Sequence, residues 1–223
     1  MTKPIAVFQA MLAKDLRREL RSKEIFISSF LLSIILLAVI YYATTAGGLN
    51  YEAMGSGAFW LCLVFSGTIG LNRTHQAELN NGCYRALILY PIDSGWLYLA
   101  KTLTNFLLLT FMAALLLPLI WIFFQLGNKV AWLNLIASLA LGMSAFSAVG
   151  TLAVVITANT RMKDVLFPVI QLPLVVPVLI AGVNSTQAAL SGEPTWEGIQ
   201  LLLAMNLVFP SLGFLLYEFL LEE

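Results

Sequence analysis

The chain has 223 residues, of which 60% are hydrophobic and 11% are charged, and its formal net charge is zero. Soluble domains carry roughly 25% charged residues, so this composition excludes a water-soluble globular protein. Without a net positive charge there is no electrostatic indication of nucleic-acid binding, and no nucleic acid is expected as a partner.

The first predicted element is an amphipathic helix over residues 4–23. Its apolar residues recur at spacings of three and four on one face, and four cations, Lys14, Arg17, Arg18 and Arg21, lie opposite. Such a helix lies in the membrane surface with its cations toward anionic lipid. Glu19 falls on the apolar face, where it pairs with Lys23 one turn later or contacts another element. The simpler alternative is an orientation signal, which accounts for the cations but needs no apolar face.

Six apolar segments follow, each long enough to cross a bilayer core, which takes about 20 residues. The second contains four glycines, which weaken it as a helix or else let another helix approach closely. The predicted fold class is therefore all-α: a polytopic membrane protein with six transmembrane helices and an N-terminal interfacial helix, in a single domain over residues 1–223. The six predicted spans are residues 25–45, 53–71, 103–124, 132–157, 165–183 and 199–219.

The positions of the cations predict the orientation in the membrane. Six Lys or Arg residues precede the first span, and the loops after the second and fourth spans hold two each, whereas the other face has Lys129 alone. Lys101, at the start of the third span, is expected to reach the charged surface by snorkelling. Because positive loops stay in the cytoplasm, both termini are predicted to be cytoplasmic.

The longest loop between spans, residues 72–95, is predicted to lie on that same face. A short helix over residues 73–80 is expected to end at Asn81-Gly82, and a second over residues 84–90 is stopped by Pro91. Two short helices at the membrane surface form a plausible docking platform for a soluble partner. Loops of this kind also serve simply as connectors.

The spacing of Glu78, Gly82, Leu87, Pro91 and Lys101 resembles the loop of ABC-2 type transporter permeases that touches the ATP-binding subunit. More specifically, "KDLRRELRSKE" (residues 14–24) and "LFPVIQLPLVVPVLIAG" (residues 166–182) are similar to segments of the heme exporter protein B family (CcmB). This resemblance implies an ABC-2-like permease in the bacterial inner membrane. It also implies that the ATPase contact, or coupling surface, includes Arg73, His75, Glu78, Gly82, Arg85 and Pro91.

The family resemblance further implies a role in heme delivery for c-type cytochrome biogenesis. The implied partners are an ABC ATPase subunit, a heme-handling membrane protein, a small membrane subunit, a heme chaperone and a second copy of this chain. The chain itself is expected to bind no cofactor, because ATP binds the partner subunit and heme is a candidate passenger. Two alternatives remain open: an ABC-2 permease for another hydrophobic or lipid-like substrate, and an ATP-independent membrane scaffold.

Three prolines, Pro168, Pro173 and Pro177, share the fifth span with Gln171 as a polar neighbour. Prolines kink helices, so this span is predicted to be kinked and to line a moving interface, or else to use the prolines only for tilt and packing. By resemblance to ABC-2 permeases, short re-entrant helices are expected after it, within residues 184–198.

The sequence lacks the residues of an enzyme or a metal site. It contains no G-x-x-x-x-G-K-[ST] phosphate loop, so any ATP hydrolysis belongs to a separate chain. Heme ligation would draw on His75, Met54, Met143 or Met205, yet methionine in a span is more often packing. Cys62 and Cys83 are interpreted as free thiols, since one lies in an apolar run and the other in a polar loop.

Overall fold

The structure, a computed structural model, describes residues 4–21, 23–80, 94–125, 129–158, 160, 162–194 and 196–222. These residues form helices and short connections, with no strand among them. Six of the helices contain an apolar stretch long enough to cross a membrane, which confirms the all-α, six-span fold class. The helices are α1 (Pro4–Arg21), α2 (Lys23–Gly47), α3 (Tyr51–Asn80), α4 (Ser94–Phe124), α5 (Trp132–Ala158), α6 (Lys163–Ser191) and α7 (Trp196–Glu222).

Helix α5 lies at the centre of the bundle. It packs most extensively against α6 and α7 and also contacts α4 and α3. Of the apolar stretch in α5, 78% is buried, whereas the corresponding values are 17% for α2 and 11% for α7. Helices α2 and α7 therefore lie at the periphery of the bundle, with most of their apolar surface exposed.

Trp60 on α3 is the largest side chain in the core, with 2% of its surface exposed. Its indole nitrogen donates a hydrogen bond to the Thr186 hydroxyl at 3.0 Å. Its ring lies against Gly142 on α5 and Gly182 on α6, and a Cβ added at Gly182 would lie 2.7 Å from the ring. Small residues thus allow three helices to meet around one tryptophan, as is common where membrane helices pack closely.

The connections between helices alternate between two ends of the bundle. One end holds α1, the end of α3 and the start of α4. The other end carries aromatic pairs, with Trp121 stacked on Trp132 at 5.5 Å and Tyr41 against Phe123 at 5.3 Å. Such rings are typical of the membrane–water interface.

The expected short helix over residues 73–80 is not a separate element. Its residues are helical, but they continue α3, which runs without a break from Tyr51 to Asn80. No glycine or proline lies between Leu71 and Asn80, so nothing in the sequence ends the helix at the membrane surface. The second short helix, over residues 84–90, lies outside the described residues.

The expectation of short re-entrant helices within residues 184–198 is wrong. Helix α6 continues to Ser191 and ends at Gly192, whose φ of 73° is left-handed. The Glu193 amide donates back to the Ala188 carbonyl at 2.8 Å, a common way for a helix to end. The extra turns are retained because Ser185 and Thr186 are buried against the bundle.

Candidate functional site

The apolar face of α1 packs on the start of α4. The Phe8 and Trp96 rings meet edge to face with centroids 6.3 Å apart. Met11 packs against a small buried cluster of Leu97, Tyr98, Leu152, Val155 and Tyr217. Helix α1 is therefore docked on the bundle through its apolar face, a contact that the prediction of a helix lying in the membrane surface did not include.

A buried ion pair joins the same two helices. The Lys101 ammonium lies 3.2 Å from one carboxylate oxygen of Asp15, and each side chain is only 4% exposed. Lys14, whose side chain is 48% exposed, lies 3.0 Å from the other carboxylate oxygen. The prediction that Lys101 reaches the surface by snorkelling is wrong, because its counter-charge is inside the α1–α4 contact.

Asp15 is a residue that the sequence analysis missed. It follows Phe8 by seven residues, close to two helical turns, so it shares the apolar face that packs on α4. Together with Glu19 it places two acids on that face. An acidic residue at a position that the helical spacing assigns to the apolar face is the sequence feature that could have indicated docking on a buried cation.

Tyr98 anchors α4 to two further helices. Its hydroxyl lies 3.1 Å from the Ala148 carbonyl on α5 and 3.4 Å from the Phe209 carbonyl on α7. Its ring contacts Gly213, and the Phe214 ring contacts Gly95 in the first turn of α4. The first two turns of α4 thus contact α1, α5 and α7 together.

The predicted coupling residues lie next to this junction in the chain. Arg73, His75 and Glu78 lie in the last turns of α3, and their side chains are outside the described part of the structure. Gly82, Arg85 and Pro91 fall within residues 81–93, which the structure does not describe. The residues that follow them, from Ser94 onward, form the first turns of α4.

The predicted interfacial cations are described in part. Lys14 and Arg17 are exposed on α1, and the Lys14 ammonium reaches the Asp15 carboxylate. The backbone of Arg18, Glu19 and Arg21 continues the same helix. Their side chains are outside the described set, so the pairing of Glu19 stays a prediction.

Pro168, Pro173 and Pro177 all lie inside α6, which remains one continuous helix. Their polar neighbour Gln171 is fully buried, and neither its amide nitrogen nor its oxygen has a hydrogen-bond partner among the described residues. A buried amide without a partner costs roughly 1–3 kcal/mol. The kink and its role in a moving interface stay predictions.

The candidate heme ligands do not form one site in the described part of the chain. Met54 and Met143 both belong to the main core, whereas Met205 packs against a separate cluster around Leu202. The side chain of His75 is not described, and no group of three His, Cys, Asp or Glu residues elsewhere in the described chain is placed to hold a metal ion. Cys62 is a buried free thiol, as predicted, and Cys83 is outside the described residues.

Comparison with known proteins connects this architecture to one family. The family model described as "CcmB protein" matches residues 6–215. Three similar curated proteins each carry the name heme exporter protein B. The protein from Pseudomonas aeruginosa is 25% identical over 85% of this chain and 84% of its own length. The Rhodobacter capsulatus protein is 26% identical over 82% of this chain and 84% of its own length. The Paracoccus denitrificans protein is 25% identical over 89% of this chain and 91% of its own length.

Proposed function

The chain belongs to the CcmB protein family, and we propose that it is the membrane permease subunit of a heme exporter driven by a separate ATPase. The shared name of its relatives supports the heme-export role, and the six apolar helices support the permease role. The segment from the end of α3 to the start of α4 is the proposed contact with the ATPase.

The junction at the first turns of α4 is the observation that supports this proposal best. Residues 81–93 lead directly into α4 at Ser94. The Asp15–Lys101 ion pair then joins α4 to α1, and Tyr98 joins α4 to α5 and α7. Because these contacts are buried and close-packed, a displacement applied at residues 81–93 passes to four helices as a unit.

The ATPase is proposed to be a separate chain because this sequence has no phosphate-binding loop. Helix α3 extends eight residues beyond Asn72, where its apolar stretch ends. At a rise of ~1.5 Å per residue, this extension projects about 12 Å from the apolar part of the bundle. Arg73, His75 and Glu78 on this extension are the proposed contact residues, together with Gly82, Arg85 and Pro91 in the segment that follows.

The proposed setting is the bacterial inner membrane, with both termini and the α3–α4 segment in the cytoplasm. The concentration of cations on one face supports this orientation. The assembly is proposed to contain two copies of this chain, a heme-handling membrane protein, a small membrane subunit and a heme chaperone.

The proposed use of ATP is to release the heme-loaded chaperone from the partner membrane protein. Heme bound within a protein needs axial ligands such as His or Met. Met143 and Met205 lie in different clusters, which favours release of the chaperone over passage of heme through this chain.

Affinity purification of the tagged full-length chain in mild detergent tests the ATPase contact. An ATPase subunit is expected to co-elute with the wild-type chain and to be lost from the Glu78→Lys and Arg85→Glu variants. Lys129→Glu, a charge reversal at an exposed position on the opposite face, is the matched control and should retain the ATPase.

Two outcomes contradict the proposal. Retention of the ATPase after replacement of the whole segment 73–91 would show that the contact lies elsewhere. Normal levels of c-type cytochromes in cells that lack this chain would show that heme delivery does not require it, even if the ATPase binds.

A further inference from the structure

A cleft opens between α2, α3 and α4 at the end of the bundle where α1 lies. Its volume is about 60 Å³ and it opens to the surface, so it has room for part of a chain-like ligand rather than for a whole compact one. Helix α2 packs extensively on α3 but little on α4, so these helices separate beside the cleft. The residues that line it include Phe26, Ser29, Ser66, Gly70, Asn105 and Met112.

The cleft borders the lipid-facing surface. Phe26 contacts Phe111 across α2 and α4 with ring centroids 5.1 Å apart. Phe111 and the neighbouring Ile27 are each about half exposed, at 51% and 53%. Because these exposed apolar groups face hydrocarbon in a membrane, a lipid chain can reach the cleft from the bilayer.

Two polar side chains in this apolar lining point to a ligand with hydrogen-bond acceptors. The hydroxyl oxygen of Ser29 is buried and has no hydrogen-bond partner among the described residues. Asn105 uses one amide hydrogen to bond the Thr151 hydroxyl at 2.9 Å, and its amide carries a second hydrogen. A buried hydroxyl without a partner is costly, so a ligand that accepts its hydrogen bond gains from this site.

The depth of Ser29 matches the ester region of a lipid, and Asn105 lines the same cleft. Ser29 follows Phe26, the first residue of the apolar stretch in α2, by three residues, or about 4.5 Å along the helix. Asn105 follows Lys101 by four residues, or about 6 Å along α4. The ester carbonyls of a glycerolipid lie near this boundary between headgroups and hydrocarbon.

The charges near the cleft favour an anionic headgroup. Lys101, one turn before Asn105, is paired with Asp15 of α1, which places α1 beside the mouth of the cleft. Lys14 and Arg17 are exposed on that helix. Among the side chains that the structure describes here, Lys14, Arg17 and Lys101 carry three positive charges against the one negative charge of Asp15.

We propose that this cleft binds one anionic glycerophospholipid from the adjacent leaflet. Ser29 and Asn105 donate hydrogen bonds to an ester carbonyl, the acyl chain lies along the apolar lining, and the phosphate faces Lys14 and Arg17. Heme is less compatible with the site, because it requires a strong axial ligand and the described lining offers one thioether, that of Met112.

Native mass spectrometry of the purified full-length chain, titrated with phosphatidylglycerol, tests this site. Gly70→Leu places a side chain in the cleft, since a Cβ at Gly70 meets nothing within 4 Å. Gly57→Leu is the matched control, because Gly57 lies on the same helix, also has open space for a Cβ, and is not among the cleft residues.

Phosphatidylglycerol is expected to bind the wild-type and Gly57→Leu chains alike. Gly70→Leu is expected to weaken binding about tenfold or more by occupying the acyl-chain site. Ser29→Ala is expected to weaken binding about fivefold, the value of one hydrogen bond. The wild-type chain is expected to bind phosphatidylcholine about fivefold more weakly, since each nearby cation favours an anionic lipid.

Three results overturn the proposal. The first is equal binding of phosphatidylglycerol by Gly70→Leu and Gly57→Leu chains that elute alike on size exclusion. The second is equal affinity of the wild-type chain for phosphatidylglycerol and phosphatidylcholine. The third is that added hemin binds the wild-type chain, is excluded by Gly70→Leu, and displaces the lipid, which would make this a heme site.

Discussion

The ion pair between Asp15 and Lys101 predicts a large and specific loss of stability when it is broken. At 3.2 Å, an effective dielectric constant of ~20 gives an attraction of about 5 kcal/mol before desolvation is subtracted. Lys101→Met keeps the apolar stem of the lysine but leaves the buried carboxylate with Lys14, which is half-exposed. We expect the free energy of unfolding to fall by about 3 kcal/mol. Breaking a buried ion pair costs roughly 3–5 kcal/mol, and the remaining contact with Lys14 offsets part of that cost.

Two further variants make this expectation specific. Asp15→Asn is also expected to cost about 3 kcal/mol, whereas the double variant should cost well below the sum of the two, because it removes both charges. Lys14→Met is the matched control: it removes the exposed lysine from the same carboxylate and should cost at most about 1 kcal/mol.

The assay is unfolding of the purified chain by SDS in mixed micelles, followed by circular dichroism and tryptophan fluorescence. Trp96 packs against Phe8 of α1, so its emission also reports release of that helix. Additive effects of Asp15→Asn and Lys101→Met would refute the reasoning, as would an equal loss on removing Lys14 or Lys101.

Three further predictions concern the polar groups, the helix packing and the methionines of the core. Gln171→Leu should raise the free energy of unfolding in SDS by about 1–2 kcal/mol, since both amide atoms of Gln171 lack a partner among the described residues. Asn105→Leu should lower the free energy of unfolding, because the Asn105 amide donates a hydrogen bond to Thr151. A comparable loss of stability from both variants would contradict these expectations. Gly182→Ala should lower the free energy of unfolding by about 1–3 kcal/mol in the same assay, because the added Cβ would lie 2.7 Å from the Trp60 ring. Equal stability of Gly182→Ala and of Gly57→Ala, whose Cβ meets no neighbour, would be inconsistent with this packing. Combined substitution of Met54, Met143 and Met205 by Leu should leave c-type cytochrome levels within about twofold of wild type, because Met and Leu exchange with little cost. Loss of cytochromes at normal protein levels would instead support heme ligation by these methionines.

The six spans could be predicted from the sequence because one physical requirement dominates them. A backbone in hydrocarbon must satisfy its own hydrogen bonds, so each long apolar segment becomes a helix. The amphipathic pattern of α1 was equally informative, since residues three and four apart share a face whatever the helix contacts. Both inferences depend on local sequence, and the structure agrees with both.

Features that depend on how helices rotate against one another could not be predicted in this way. Gly67 is in close contact with Leu109 and Phe146, whereas Gly57 and Gly70 have open space, although all three lie on α3. The burial of Lys101 depends on Asp15, which is 86 positions earlier in the chain and meets it only once α1 docks. The extensions of α3 to Asn80 and α6 to Ser191 reflect the lack of a helix-ending residue rather than the position of the membrane boundary.

The orientation of the α3–α4 segment is the most direct test of the proposed function, and Cys83 provides a native reporter for it. The other cysteine, Cys62, is fully buried, so a membrane-impermeant maleimide should label the folded chain at Cys83 alone. We predict labelling in inside-out membrane vesicles and none in right-side-out vesicles, with Cys83→Ser abolishing the signal. Labelling of Cys83 in right-side-out vesicles would place this segment on the side without ATP and contradict the proposed coupling to an ATPase.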